Sequence, residues 1–141
     1  MKKLIIAVLL ISVFSLSSFY AVAADERGYK DGYADIPSVH KQIHGILSTS
    51  NTTQSGSASS TTRIEDGGCC GIILTAKLDV KDRKTGQGLL GGEKKAESAP
   101  GGSSASISAA FIAESAMVYT THDASAATIP ITLQLNLIWP N

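Results

Sequence analysis

Residues 72–81 read Ile-Ile-Leu-Thr-Ala-Lys-Leu-Asp-Val-Lys. Ile72, Leu74, Ala76, Leu78 and Val80 alternate with Ile73, Thr75, Lys77, Asp79 and Lys81, and successive side chains of a strand point to opposite faces. The stretch is therefore expected to be a strand with one buried and one mainly wet face. A charged turn follows at 82–87, with Gly86 free to take a positive φ, and residues 88–90 are expected to begin the returning strand of a hairpin. Residues 91–104 then read as a mobile loop rich in Gly, Ser and charge around Pro100.

Toward the C-terminus a second alternation appears. Ile129, Ile131, Leu133, Leu135, Leu137 and Trp139 share one face, and Pro130, Thr132, Gln134 and Asn136 share the other. A long strand is expected, entering its sheet at an edge because proline has no N–H to donate. Its apolar side needs cover from the fold or from a partner. Ile131, Leu133, Leu135, Leu137 and Trp139 are thus the candidate edge-strand interaction residues. Residues 105–120 are rich in alanine, which suits a helix, but Ile107, Ala109, Phe111, Ala113, Met117 and Tyr119 keep a period of two, so strand is the preferred reading.

Toward the N-terminus, Met1, Lys2 and Lys3 precede an uncharged apolar run and the small residues Ala21, Val22, Ala23 and Ala24. This is the layout of a cleavable secretory signal over residues 1–23, which implies export to the periplasm or the cell surface. Residues 24–62 are expected to be a polar segment. Within it, 25–35 reads as irregular. Ile36, Val39, Ile43, Ile46 and Leu47 fall on one helical stripe behind Asp35 and Pro37, predicting a short helix over 37–47. Ser, Thr, Gly, Ala, Asn and Gln dominate 48–62, which reads as a flexible linker. Residues 63–141 then form the β-rich domain. The fold class expected is mainly β (α+β), a small antiparallel sheet or sandwich of about four strands with one short N-terminal helix.

Cleavage leaves 10 basic against 12 acidic residues. Charges of both signs intermingle, so nothing draws nucleic acid, and no cofactor motif is present. Cys69 and Cys70 are adjacent. Trans-linked Cα atoms sit about 3.8 Å apart, short of the roughly 4.4 to 6.8 Å of ordinary disulfides. A vicinal disulfide acting as a rigid turn, bridges to another chain and free thiols all stay open, and an oxidising compartment favours the first two. His40 and His44, four apart on the expected helix, could share a metal ion, with His122 and Asp123 completing the site. The glutamate of H-E-x-x-H is missing between them. No serine sits in a G-x-S-x-G elbow.

No family is recognised across the whole chain. The turn carried by Leu78, Val80, Asp82, Arg83, Lys84, Thr85, Gly86 and Gln87 resembles a hairpin of bacterial curli-assembly accessory proteins over that short stretch. The mature N-terminus lacks the Asn- and Gly-rich, Phe-containing segment those proteins carry. The function expected is that of an exported, non-enzymatic, β-rich protein of the bacterial envelope or surface, acting by binding or assembly with a protein partner or with itself. A periplasmic metal-binding protein using His40 and His44 is the second reading. A membrane-active oligomer, whose amphipathic strands join in a shared barrel, is the third.

Overall fold

The computed structural model describes residues 27–51, 55–68 and 70–136. The signal-peptide reading of residues 1–23 and the positions Cys69, Leu137 and Trp139 lie outside the described residues. Within them the chain forms eight strands and one 3-10 turn: β1 (Arg27–Ile36), the turn Pro37–Val39, β2 (Lys41–Asn51), β3 (Gly56–Ile64), β4 (Leu74–Asp82), β5 (Lys94–Glu97), β6 (Ser104–Phe111), β7 (Ser115–Ala124) and β8 (Ala127–Asn136). They make two four-stranded antiparallel sheets, ordered β1-β2-β3-β6 and β5-β4-β7-β8. One core runs between them, from Ile43, Leu47 and Ile64 on the first sheet to Leu74, Leu78, Val118 and Ile131 on the second.

β4 follows its alternation: Leu74, Ala76, Leu78 and Val80 have no exposure, while Thr75, Lys77 and Asp79 between them are half-buried. Burying each large side chain is worth about 1.5–3 kcal/mol. The turn after it forms as expected, with Gly86 at φ 72° and the Asp82 N–H on the Gln87 carbonyl at 2.8 Å. The expected returning strand is reduced to a single bridge, Lys81 to Gly88. The loop expected over 91–104 instead contains β5, which pairs with the first half of β4. Residues 105–120 are strand as preferred, divided into β6 and β7 around the exposed Ile112 and Glu114. β7 and β8 form a tight hairpin whose last pair is Ala124 with Ala127. Ser125 takes φ 54° there, as a two-residue turn requires.

Expectations for the N-terminal half are overturned as well. The helix over 37–47 is absent. Pro37 does open one turn, but His40 ends it at φ 50°, and β2 takes up the rest. Gly45 costs a helix interior about 1 kcal/mol, and the β-branched Val39, Ile43 and Ile46 suit a pleated surface better. The segment 25–35 is not irregular where it is described, since β1 occupies it from Arg27 onward. The stretch 48–62 is not a linker, because β2 runs to Asn51 and β3 begins at Gly56. The boundary expected between residues 62 and 63 falls inside β3. Eight strands thus stand where about four were expected. One reason is that β3 buries Ala58, Ser60 and Thr62, small side chains that leave no apolar signature ahead of Ile64.

β1 lies close against β8. A Cβ at Gly28 would come within 2.3 Å of Leu133 Cδ2, and one at Gly32 within 3.0 Å of Ile129 Cγ2. Lys30 Nζ donates to the Thr132 carbonyl at 2.7 Å. Over its described side chains the apolar face of β8 is therefore sheltered by the chain's own first sheet: Ile131 is 8% exposed and Leu133 is partly buried.

Candidate functional site

Two histidines are buried, on opposite sides of the first sheet. His122 on β7 points into the core and has no exposure. Its Nδ1 lies 2.9 Å from Thr62 Oγ1 and its Nε2 3.0 Å from Thr120 Oγ1. Thr62 donates its one hydroxyl hydrogen to the Thr75 carbonyl at 2.8 Å. With that hydrogen so placed, Nδ1 carries the ring proton and Nε2 accepts from Thr120, whose oxygen also lies 3.4 Å from the Ile131 carbonyl. Gly45 makes room for the ring, since a Cβ there would lie 2.6 Å from it. Burial pushes His122 down to about 4, with Asp123 beside it opposing in part. The ring is a neutral tie between the sheets, sealed from any substrate.

His44 on β2 points outward but is only 3% exposed. It pairs across the strands with Tyr33 on β1 and Arg63 on β3. The Tyr33 ring stacks on it, centroids 4.2 Å apart and planes within 8°. Its Nε2 is 2.8 Å from Asp31 Oδ2 and its Nδ1 is 3.1 Å from Glu65 Oε1. Arg63 Nε donates to the same Glu65 oxygen at 3.2 Å. The Tyr29 hydroxyl donates to Asp31 at 3.3 Å. Such a network holds Tyr33 and Asp31 in fixed positions on the surface.

Beyond this cluster the described side chains on the outer face of the first sheet are neutral and hydroxyl-rich. Ser48 and Ser59 lie 2.6 Å apart, Ser50 and Ser57 2.8 Å, and Thr61 and Ser106 2.8 Å, each pair joined across neighbouring strands. Cross-strand hydroxyl pairs of this kind support the sheet. The first two pairs also line a shallow depression of about 750 Å³, together with Tyr29, Ser108, Ala109 and Ala110. Tyr29 is 59% exposed and Tyr33 53%, an unusual placement for large aromatics, with both on one face of β1.

The four residues suggested as a metal site are not gathered. His40 sits exposed after the 3-10 turn and lines a separate depression with Asp35, Lys41, Glu65 and Asp66. His44 and His122 are divided by the backbone of β2. Asp123 points away from His122 on β7 and pairs with Lys77 at 3.8 Å. No group of three or more His, Cys, Asp or Glu that could hold a metal occurs among the described residues. A four-residue spacing joins side chains on a helix, but on extended backbone it sets them apart. Cys70 is exposed, at φ 63°, and disulfide-bonded. Glu114 is exposed and pairs with Lys84.

Sequence reading missed Asp31, Tyr33, Arg63 and Glu65 as neighbours of His44. The available signal was the alternation of Tyr29, Asp31 and Tyr33, visible only once β1 is recognised as a strand. No protein-family model matches the chain, and neither does any curated protein sequence.

Proposed function

We propose that this chain is an exported, non-enzymatic protein of the bacterial envelope or surface that works by assembly, with β6 as the strand through which it pairs. The reading rests on one comparison, among the four strands that end the two sheets. β1 carries Lys30, Asp31 and Asp35 along its length, and β5 is four residues long with Lys94, Lys95 and Glu97. β8 contains Pro130 and has Lys30 laid on the Thr132 carbonyl. Charges, proline and shortness are the devices that keep sheet edges from pairing with other chains. β6 has none of them: its eight residues read Ser-Ala-Ser-Ile-Ser-Ala-Ala-Phe, and Ile112 just after it is 70% exposed. Of the apolar row of β8, expected to seek a partner, Ile129, Ile131 and Leu133 have cover within the chain, which favours β6 as the edge for pairing.

Strand addition at an open edge supplies backbone hydrogen bonds. A second copy would pair β6 with β6 about a two-fold axis. Without charges on β6, no like charges meet across that axis. Native mass and gel filtration of the exported protein test the reading. The mature chain is expected at twice its monomer mass, and Ser104→Lys combined with Ser106→Lys is expected to weaken the dimer at least tenfold. A compact monomer at every concentration, with and without reductant and with no co-purifying protein, removes the assembly role.

A further inference from the structure

We propose that the outer face of the first sheet binds a neutral polysaccharide. This rests on the described surface and is independent of pairing through β6. The depression of about 750 Å³ lies in the range of small-ligand sites, which join an apolar lining to a few placed polar groups. Here Tyr29, Ser48, Ser50, Ser57, Ser59 and Ser108 line it beside alanines, and no charged side chain does among the described residues. In the Ser48 and Ser59 pair one hydroxyl hydrogen is spent between the two oxygens, leaving one O–H and free lone pairs. Such a surface both donates and accepts, as the hydroxyls of a sugar do.

The aromatic groups supply the second half of the match. Tyr29 and Tyr33 are roughly 13 Å apart at about 3.3 Å per residue of strand, the length of a short run of pyranose rings. Both stand exposed on one line with Asp31 between them. Tyr33 is held by its stack on His44, and β1 ends its sheet, so the other side of that ring has no neighbouring strand against it. Tyrosine offers a large rigid surface at low entropic cost and serine adaptable hydrogen bonds, the pairing that recognition surfaces favour. Charge decides against acidic polymers. Among the described side chains, Asp31 and Glu65 border the face, and the nearby cation, Arg63, is held by Glu65 at 3.2 Å.

The test uses the mature exported protein on an array of soluble glucose, galactose, mannose and N-acetylglucosamine oligomers beside uronic-acid oligomers, followed by calorimetric titration of any that bind. At least one neutral oligomer is expected to bind. Tyr29→Ala should weaken that binding tenfold or more and Ser59→Ala several-fold. Tyr119→Ala, which removes an exposed tyrosine of the second sheet, should leave it unchanged, and all three variants should keep the parent's melting temperature within a few degrees. Three results would each overturn the proposal: no neutral oligomer bound at millimolar concentration, uronic-acid oligomers alone bound, or binding undiminished in both Tyr29→Ala and Ser59→Ala.

Discussion

His122 and Ser60 show opposite fates of a polar group in the core. Each hydrogen in the chain Thr120, His122, Thr62 and the Thr75 carbonyl has an acceptor as long as the ring is neutral. A proton added at Nε2 would turn that nitrogen from acceptor to donor and leave a charge in a dry interior. The folded state thus resists protonation, with a pKa of about 4 against 6.5, and the unfolded chain binds that proton first. Stability from this site is complete above pH 6.5 and is lost as the pH falls toward 4, by up to about 3 kcal/mol. Urea titrations across that window are expected to show the slope, and His122→Gln should abolish it. Asp82 belongs to a lower window. Its carboxylate is held below its usual 3.8 by the backbone N–H groups of Thr85 and Lys84, so its contribution fades only at more acid pH. Ser60, fully buried, has a hydroxyl with no hydrogen-bond partner among the described residues. Removing an unpaired buried hydroxyl relieves a desolvation cost of about 1–3 kcal/mol, offset in part by the small void left behind. Ser60→Ala is therefore expected to be neutral or to stabilise by about 1 kcal/mol, read from the urea midpoint at unchanged slope.

At the level of strands, β1 meets β8 because glycine stands where a side chain would collide. Gly28 donates its N–H to Thr49 Oγ1 at 3.1 Å, and a Cβ added there would lie 2.6 Å from that oxygen and 2.3 Å from Leu133. Gly28→Val should cost about 1–3 kcal/mol, and faster amide exchange should appear in β1 before any other strand. If exchange instead rises evenly across both sheets, the contact of β1 with β8 is not what holds β1 in place. This strand also shows why the sequence was legible in some places and not in others. β4 and β8 announce themselves because one side of each is uniformly aliphatic and the other polar. In β1 the inward positions are Gly28, Lys30, Gly32, Ala34 and Ile36, chosen for closeness to β8, and they carry no hydrophobic alternation. In β2 the outward Ile46, next to Leu47, completes a helical stripe by coincidence, and His44 is buried on the wrong side for a core residue. The candidate site suffers accordingly. Tyr29 and Tyr33 lie in the stretch that reads as irregular and the serines of β3 in the one that reads as linker, since nothing in Ser and Thr alone distinguishes a hydroxyl-lined sheet from a solvated tether.

For the whole molecule, the two sheets share one core, so opening either one exposes the inner face of the other. The strands paired on both sides, β2, β3, β4 and β7, should exchange their amides only through global unfolding. The slowest are expected in β4 and β7, whose Leu74, Leu78, Val80, Ala116 and Val118 have no exposure. Edge strands divide their amides into those bonded to a neighbour and those facing outward. In β5 and β1 the outward set should exchange fast at any protein concentration. In β6 it should exchange fast in dilute solution and slow as concentration rises, because a second β6 would supply the missing carbonyls. Hydrogen exchange read by mass spectrometry over a hundredfold dilution series separates these patterns, with β8 as the internal reference. Protection of β8 independent of concentration is expected if Ile129, Ile131 and Leu133 are covered from within. Were β8 to gain protection with concentration while β6 did not, pairing would run through the C-terminal strand, and the assignment of the open edge would be reversed.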